Sequence, residues 1–208
     1  MGRNSGGSNP NAQGGLKEKD SNYKGKIGKL ESLSTIKNPA VYKEVGSAIS
    51  RFHSVLGVRE RNVKLATLGG GYGGVQVTQG GKSQMVVLNK SIFNGKGTTT
   101  QSVAAWAKSG YNSGHLTHTN KPVAHIVTHE LAHATWNSSL TGANQKAAGK
   151  DIVKLYRQWS KDKSKKGYGK YAATNRDEFW AEVCTKAVHG KADKYTTAAK
   201  AIVKKYGL

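Results

Sequence analysis

The run Thr128-His129-Glu130-Leu131-Ala132-His133 constrains this chain more than any other stretch. In an α-helix, residues four apart lie on one face, so His129 and His133 would present two imidazoles to a single ion. Glu130 would then lie beside that ion. Two neutral histidines that hold zinc, with a carboxylate that deprotonates a water molecule, form the core of a hydrolytic metal site. The run therefore predicts a helix that carries a Zn²⁺ site.

The residues around this run favour the helix that the site needs. Pro122 suits a first helical turn, and apolar residues then recur up to Ala134 without an internal Gly or Pro. This pattern predicts a helix of roughly fifteen residues. His125 lies four residues before His129, on nearly the same face of that helix. We interpret it as a core residue or as a support for a ligand, rather than as a ligand itself.

A third ligand would distinguish a catalytic zinc site from a chance pattern, because such sites use three protein ligands and leave a fourth position open to water. The segment from Asn175 to Glu182 predicts the start of a second helix, with Thr174 or Asn175 as its N-cap. Glu178 and Glu182 share one face of this helix. Because they start about 6 Å apart along the axis, we expect only one of them to bind the metal directly, and spacing alone does not say which.

Together, the two motifs resemble a known family. Roughly 45 residues after the His-Glu-Leu-Ala-His run, the chain has the pattern Tyr171-(x2)-Thr174-Asn175-(x2)-Glu178-Phe179-(x)-Ala181-Glu182. This arrangement, within residues 60–190, resembles the catalytic domain of anthrax lethal factor and its relatives, which include the proline-proline endopeptidases. The resemblance implies a zincin-like α+β fold, in which a small antiparallel sheet is followed by the metal-binding helices.

The same resemblance implies a role for each site residue. It implies a gluzincin with three zinc ligands, which are His129, His133 and Glu178. Glu130 would be the general base, and Tyr171 would provide the hydroxyl group that stabilises the tetrahedral intermediate. Glu182 would orient a ligand histidine by accepting its other N–H group.

The remaining periodicities extend the α+β expectation. Residues 1–26 are rich in Gly, Asn, Ser and Lys and predict a flexible tail, which leaves residues 27–208 as a single domain. Three apolar runs between glycine-rich turns predict an antiparallel meander whose edge could pair with an extended peptide; they lie at 63–68, 75–78 and 84–88. Helical periodicity predicts a mostly helical C-terminal half and further helices, which lie between Pro39 and Gly57, at 100–109, at 145–159 and around 195–206.

Charge is the second feature that limits the function. The chain has 33 Lys and Arg against 12 Asp and Glu, a formal net charge of +21. Such a field attracts nucleic acid, an acidic partner or an anionic surface. One side of the helix predicted at 145–159 has five cations, which are Lys146, Lys150, Lys154, Arg157 and Lys161. This side is either a solvated face or a contact for a phosphate backbone.

The sequence also gives expectations about location. No apolar run is long enough to span a membrane, and the N-terminus lacks the apolar region of a signal peptide, so we expect a cytoplasmic or virion-associated protein. The start Gly-Arg-Asn-Ser-Gly-Gly resembles that of phage-encoded head-associated proteins. Cys184 is the only cysteine, so we expect no internal disulfide and interpret it as a small buried residue. His115 and His118 lie in a polar loop, and we interpret them as surface residues.

The leading hypothesis is a zinc endopeptidase that acts on a protein or peptide substrate. The alternative is a basic, nucleic-acid-associated or virion structural protein that retains a zincin fold without relevant cleavage. Glu130 and Tyr171 favour the first hypothesis, because neither residue would be needed merely to hold the metal.

Overall fold

The structure is a computed structural model that describes residues 16–18, 25–69, 71–79, 83–136 and 142–208. It confirms the expected α+β class. Its strands are β1 (Leu16–Glu18), β2 (Asn62–Ala66), β3 (Gly74–Gln79) and β4 (Ser83–Asn89). Its helices are α1 (Pro39–Leu56), α2 (Lys90–Phe93), α3 (Thr100–Asn112), α4 (Pro122–Thr135), α5 (Ala143–Lys161), α6 (Arg176–His189) and α7 (Lys194–Tyr206), with 3₁₀ turns at Leu33–Thr35 and Lys170–Ala173.

The four strands form one mixed sheet in the order β1-β3-β4-β2. β3 pairs antiparallel with both β1 and β4, whereas β2 pairs parallel with β4. The predicted antiparallel meander is therefore wrong, because β4 lies between β2 and β3. Alternating apolar residues identify a strand but not its neighbour, and the connection from β2 to β3 is too long to impose a tight hairpin.

The first strand lies inside the segment that the sequence predicts to be a flexible tail. Leu16–Glu18 pairs with the far half of β3, in register with Val77 to Gln79. The rest of the tail up to residue 24 lies outside the described residues. The flexible tail at residues 1–26 thus stays a prediction, except that Leu16–Glu18 form a strand.

Local capping explains where the long helices begin and end. The Asn38 side chain accepts hydrogen bonds from the backbone N–H groups of Ala40 and Val41, and Gly57 ends α1 in the left-handed conformation at φ 68°. Of the two N-cap candidates for α6, Asn175 is the one that caps it. α3 runs past its predicted stop at Gly110, because a single glycine costs a helix only about 1 kcal/mol.

The helix α4 lies at the centre of the molecule. Twelve of its 14 residues are buried, and α1, α3, α6 and the sheet pack around it. α5 and α7 pack against α6 and against each other. The His-Glu-Leu-Ala-His run is consequently held inside the protein, where polar side chains need partners. Cys184 on α6 is buried as expected.

Within the described part of the chain, we find no helix that combines the length and apolar character needed to cross a membrane.

Candidate metal centre

Three side-chain atoms meet between α4 and α6. Nε2 of His129, Nε2 of His133 and Oε2 of Glu178 are each 3.2 Å from the other two. Ligands that surround zinc tetrahedrally at about 2.0 to 2.1 Å are about 3.3 Å apart, so this triangle has close to the size of one face of such a site. The donor set, two imidazole nitrogens and one carboxylate oxygen, also suits zinc. We call these three residues the cleft cluster.

Glu182 holds His129 in the orientation that this triangle requires. Its Oε1 lies 2.9 Å from Nδ1 of His129, and its Oε2 accepts a hydrogen bond from the backbone N–H of Thr117 at 2.6 Å. When the ring is neutral, the proton on Nδ1 points to Glu182 and the lone pair of Nε2 is directed at the triangle.

The electrostatics of the cleft cluster favour a negatively charged Glu178 beside positive charge. Burial by itself would raise the pKa of Glu178 and lower that of the two histidines. Hydrogen bonds and charge attraction between the partners outweigh burial, so the pKa of Glu178 is far below its usual value. The pKa values of His129 and His133 are raised for the same reason. The pocket thus stabilises a carboxylate beside a positive charge, which a divalent cation would also supply.

A second group of possible ligands lies one helical turn deeper. Nε2 of His125 is 3.3 Å from Oε1 of Glu182, and the ring of His125 stacks on that of His129 at 6.0 Å. His125, His129 and Glu182, here called the inner cluster, also lie close enough together to hold a metal ion. The charges of His125 and His129 keep the pKa of Glu182 well below its ordinary value, although burial alone would raise it.

A cleft of 430 Å³ opens onto the cleft cluster. His129, Glu130, His133 and Tyr171 all line it. Its remaining wall is mainly apolar or glycine and includes Tyr72, Trp106, Leu116 and Ile126. Trp106 keeps 38% of its surface exposed, so the rim of the cleft offers an aromatic surface to a ligand.

Two glycines allow the start of β3 to approach α4. A Cβ atom on Gly74 would lie 2.7 Å from Cγ of Glu130, and one on Gly73 would lie 2.6 Å from Cγ2 of Ile126. Any larger residue would push the strand away from the helix or displace Glu130. The sequence indicated only turns at these positions, and nothing in it pointed to this close approach.

Tyr171 reaches the cleft because its segment pairs with the loop after α3. The backbone N–H of Tyr171 donates to the carbonyl of His115 at 2.8 Å, and that of Lys170 donates to Gly114 at 2.9 Å. The Tyr171 ring then lies between two imidazoles, with centroids 5.6 Å from His129 and 4.7 Å from His115. His115 is exposed, as expected, but it also lines the cleft. Sequence reasoning missed that position, because a loop histidine without fixed spacing gives no such signal.

No family model, no curated protein and no solved structure matches this chain. The likeness to the lethal factor family therefore stays an expectation from two motifs, and the geometry of the site must support any functional conclusion.

The remaining predicted contact residues lie elsewhere. All five cations of α5 are exposed and none of them lines the cleft; they are Lys146, Lys150, Lys154, Arg157 and Lys161. His118 is exposed and packs against the ring of Tyr111 instead of facing the metal ligands.

Proposed function

We propose that this protein is a zinc-dependent endopeptidase with a zincin-like fold. The observation that supports the proposal most directly is the 3.2 Å triangle of His129, His133 and Glu178 at the base of a cleft. A purely structural zinc site would close its fourth position with Cys or His. This triangle instead faces a cleft that Glu130 and Tyr171 also line.

The chain's own residues would divide the work of peptide hydrolysis as follows. His129, His133 and Glu178 would hold the ion, and Glu182 would orient His129. When bound, zinc supplies Lewis acidity that polarises a peptide carbonyl and makes a water molecule easier to deprotonate. Glu130, one residue from His129 and at the cleft wall, would take the proton of the attacking water and later return it to the leaving amine nitrogen.

Tyr171 would assist the reaction as a hydrogen-bond donor. Its ring is fixed between His115 and His129, and its backbone is tied to the loop after α3. A phenol held in this way can donate a hydrogen bond to the oxygen that gains negative charge. Such fixed donors need little reorganisation during the reaction, which is the source of their catalytic effect.

The cleft walls favour a peptide or protein substrate with apolar side chains near the reacting bond. Among the described residues that line the cleft, none is Lys or Arg, although the whole chain has 33 of them. Trp106, Leu116 and Ile126 provide apolar surface instead. Attraction of an acidic side chain by Lys or Arg is therefore not how this cleft would select its substrate.

The test is metal analysis combined with peptide-library cleavage by the wild type and Glu130→Gln. We expect one zinc ion per chain in both proteins, because Glu130 is not among the three ligands. We expect the variant to lose at least about a hundredfold in the cleavage rate, because an amide cannot act as the general base. Equal turnover by two zinc-loaded proteins would overturn the mechanism, and absence of bound metal from the wild type would overturn the function.

A further inference from the structure

A continuous row of cations runs along the exposed side of α5. Lys146, Lys150, Lys154, Arg157 and Lys161 follow one another at intervals of three or four residues, which places them on one helical face. Adjacent residues of the row are thus about 4.5 to 6 Å apart along the axis, and the row is about 22 Å long. We call these five residues the α5 stripe.

The acids near the α5 stripe are already paired with other residues. α7 runs antiparallel to α5, and its Lys205 and Tyr206 contact Asp151 at 2.9 and 2.7 Å. At the other end, Lys194 contacts Asp162 at 2.6 Å. None of the stripe cations has a carboxylate within ion-pair distance among the described residues. The stripe therefore presents uncompensated positive charge to solvent.

The stripe lacks the features that a protein or membrane partner would use. The apolar residues of α5 face the core, and they are Ala148, Ile152, Leu155 and Trp159. The large exposed apolar side chains in the described part of the chain are Tyr42 on α1 and Trp106 on α3. Protein interfaces depend on buried aromatic or aliphatic anchors, and interfacial helices insert apolar residues into the lipid. A phosphate backbone needs regularly spaced cations alone.

We propose that the α5 stripe binds the phosphate backbone of nucleic acid without sequence preference. Each of these cations can displace a condensed counterion from the phosphate backbone, which supplies the affinity. No residue of α5 lines the cleft. Binding at the stripe consequently leaves the metal ligands accessible and does not depend on the proposed peptidase activity.

The experiment uses the full chain and a fluorescein-labelled DNA duplex of about 25 base pairs, with anisotropy measured between 50 and 250 mM salt. The stripe variant is Lys150→Gln, Lys154→Gln and Arg157→Gln, since glutamine keeps the helix propensity while removing charge. The matched control is Lys43→Gln, Lys96→Gln and Lys108→Gln, three exposed lysines outside α5 and α7. Each variant lowers the formal net charge from +21 to +18.

We expect the stripe variant to bind about ten- to a hundredfold more weakly near 150 mM salt, and its salt slope to fall by about 3. The control should stay within about threefold of the wild type, and a duplex of scrambled sequence or addition of a chelator should change nothing. Equal losses in both variants would mean that the overall charge, not this stripe, is responsible. Stripe-dependent binding of polyglutamate or of anionic vesicles as tight as that of DNA would also overturn the proposal.

Discussion

Two clusters of histidine and glutamate lie side by side between α4 and α6, and they share His129. In the cleft cluster, the side chain of His133 is 14% exposed and lines the cleft. In the inner cluster, the side chains of His125 and Glu182 are 1% and 0% exposed. The same residue types thus meet in two environments that differ in burial, although His125 and the shared His129 also line the cleft.

The two clusters are parts of one ladder. Along α4, His125, His129 and His133 follow one another at intervals of four residues, and α6 faces them with Glu182 and Glu178 in the reverse order. Each carboxylate links two successive histidines, at 3.2 Å on both sides of Glu178 and at 2.9 and 3.3 Å beside Glu182. The donor atoms alone therefore do not say which cluster would hold a metal ion. Because the inner end is buried and Glu182 already accepts the N–H group of Thr117, we expect it to support the cleft cluster.

The largest expected effect separates the two carboxylates. Glu178→Ala should abolish tight zinc binding, because it removes a direct ligand of the cleft cluster. Glu182→Ala should weaken binding only by about ten- to a hundredfold, because it removes the group that orients His129. The measurement is competition with a chelator of known zinc affinity. The opposite ranking would place the metal in the inner cluster.

The histidines provide an independent control for that comparison. His129 belongs to both clusters, so its removal is not informative, whereas His133 and His125 each belong to one. His133→Ala should therefore cost far more zinc affinity than His125→Ala. Circular dichroism of each variant would show whether a lost affinity reflects a lost fold.

Sequence reasoning located the helices of this ladder because each has local signals. Pro122 and Asn175 mark their starts, and the apolar period gives the length of α4 but not that of α6. The pairing of β2 with β4 was missed, because the choice of a strand partner depends on contacts far apart in the chain. For the same reason, His115 was interpreted only as a surface residue: its position in the cleft results from backbone bonds between residues more than 50 positions apart.

A smaller effect, on the cleavage rate, is expected where β3 approaches Glu130. Gly74→Ala would place a methyl group 2.7 Å from Cγ of Glu130 and so displace the carboxylate. We expect the cleavage rate to fall by about ten- to a hundredfold, since small misplacements of a catalytic group have large effects. Zinc affinity should stay within about threefold, because the three ligands are not displaced. Gly69→Ala is the matched control, since its methyl group would meet nothing within 4 Å. Loss of zinc from Gly74→Ala would show that the cleft cluster depends on β3 more than its contacts indicate.

The smallest expected effect is on the pH dependence of stability. It concerns His189, whose pKa is influenced by His125 of the inner cluster. Burial, with the positive charges of Arg51, His125 and Lys121, lowers the pKa of His189 on α6 to about 4. Since this value is below the 6.5 of an unfolded chain, neutral His189 contributes stability that is complete above pH 6.5 and is lost as the pH falls towards 4. Between pH 6.5 and 4.5, the wild type should lose about 1 to 2 kcal/mol more unfolding free energy than His189→Gln, after allowance for partial exposure to solvent.

Urea unfolding of the metal-free proteins at the two pH values measures this difference, because the other titrating groups are common to both and cancel. The control is the same comparison between pH 7.5 and 8.5, where the two proteins should not differ in pH dependence, because His189 is then neutral in the folded and in the unfolded chain. Equal losses of unfolding free energy in the wild type and in His189→Gln would mean that the fold does not hold His189 in its neutral form, contrary to the lowered pKa.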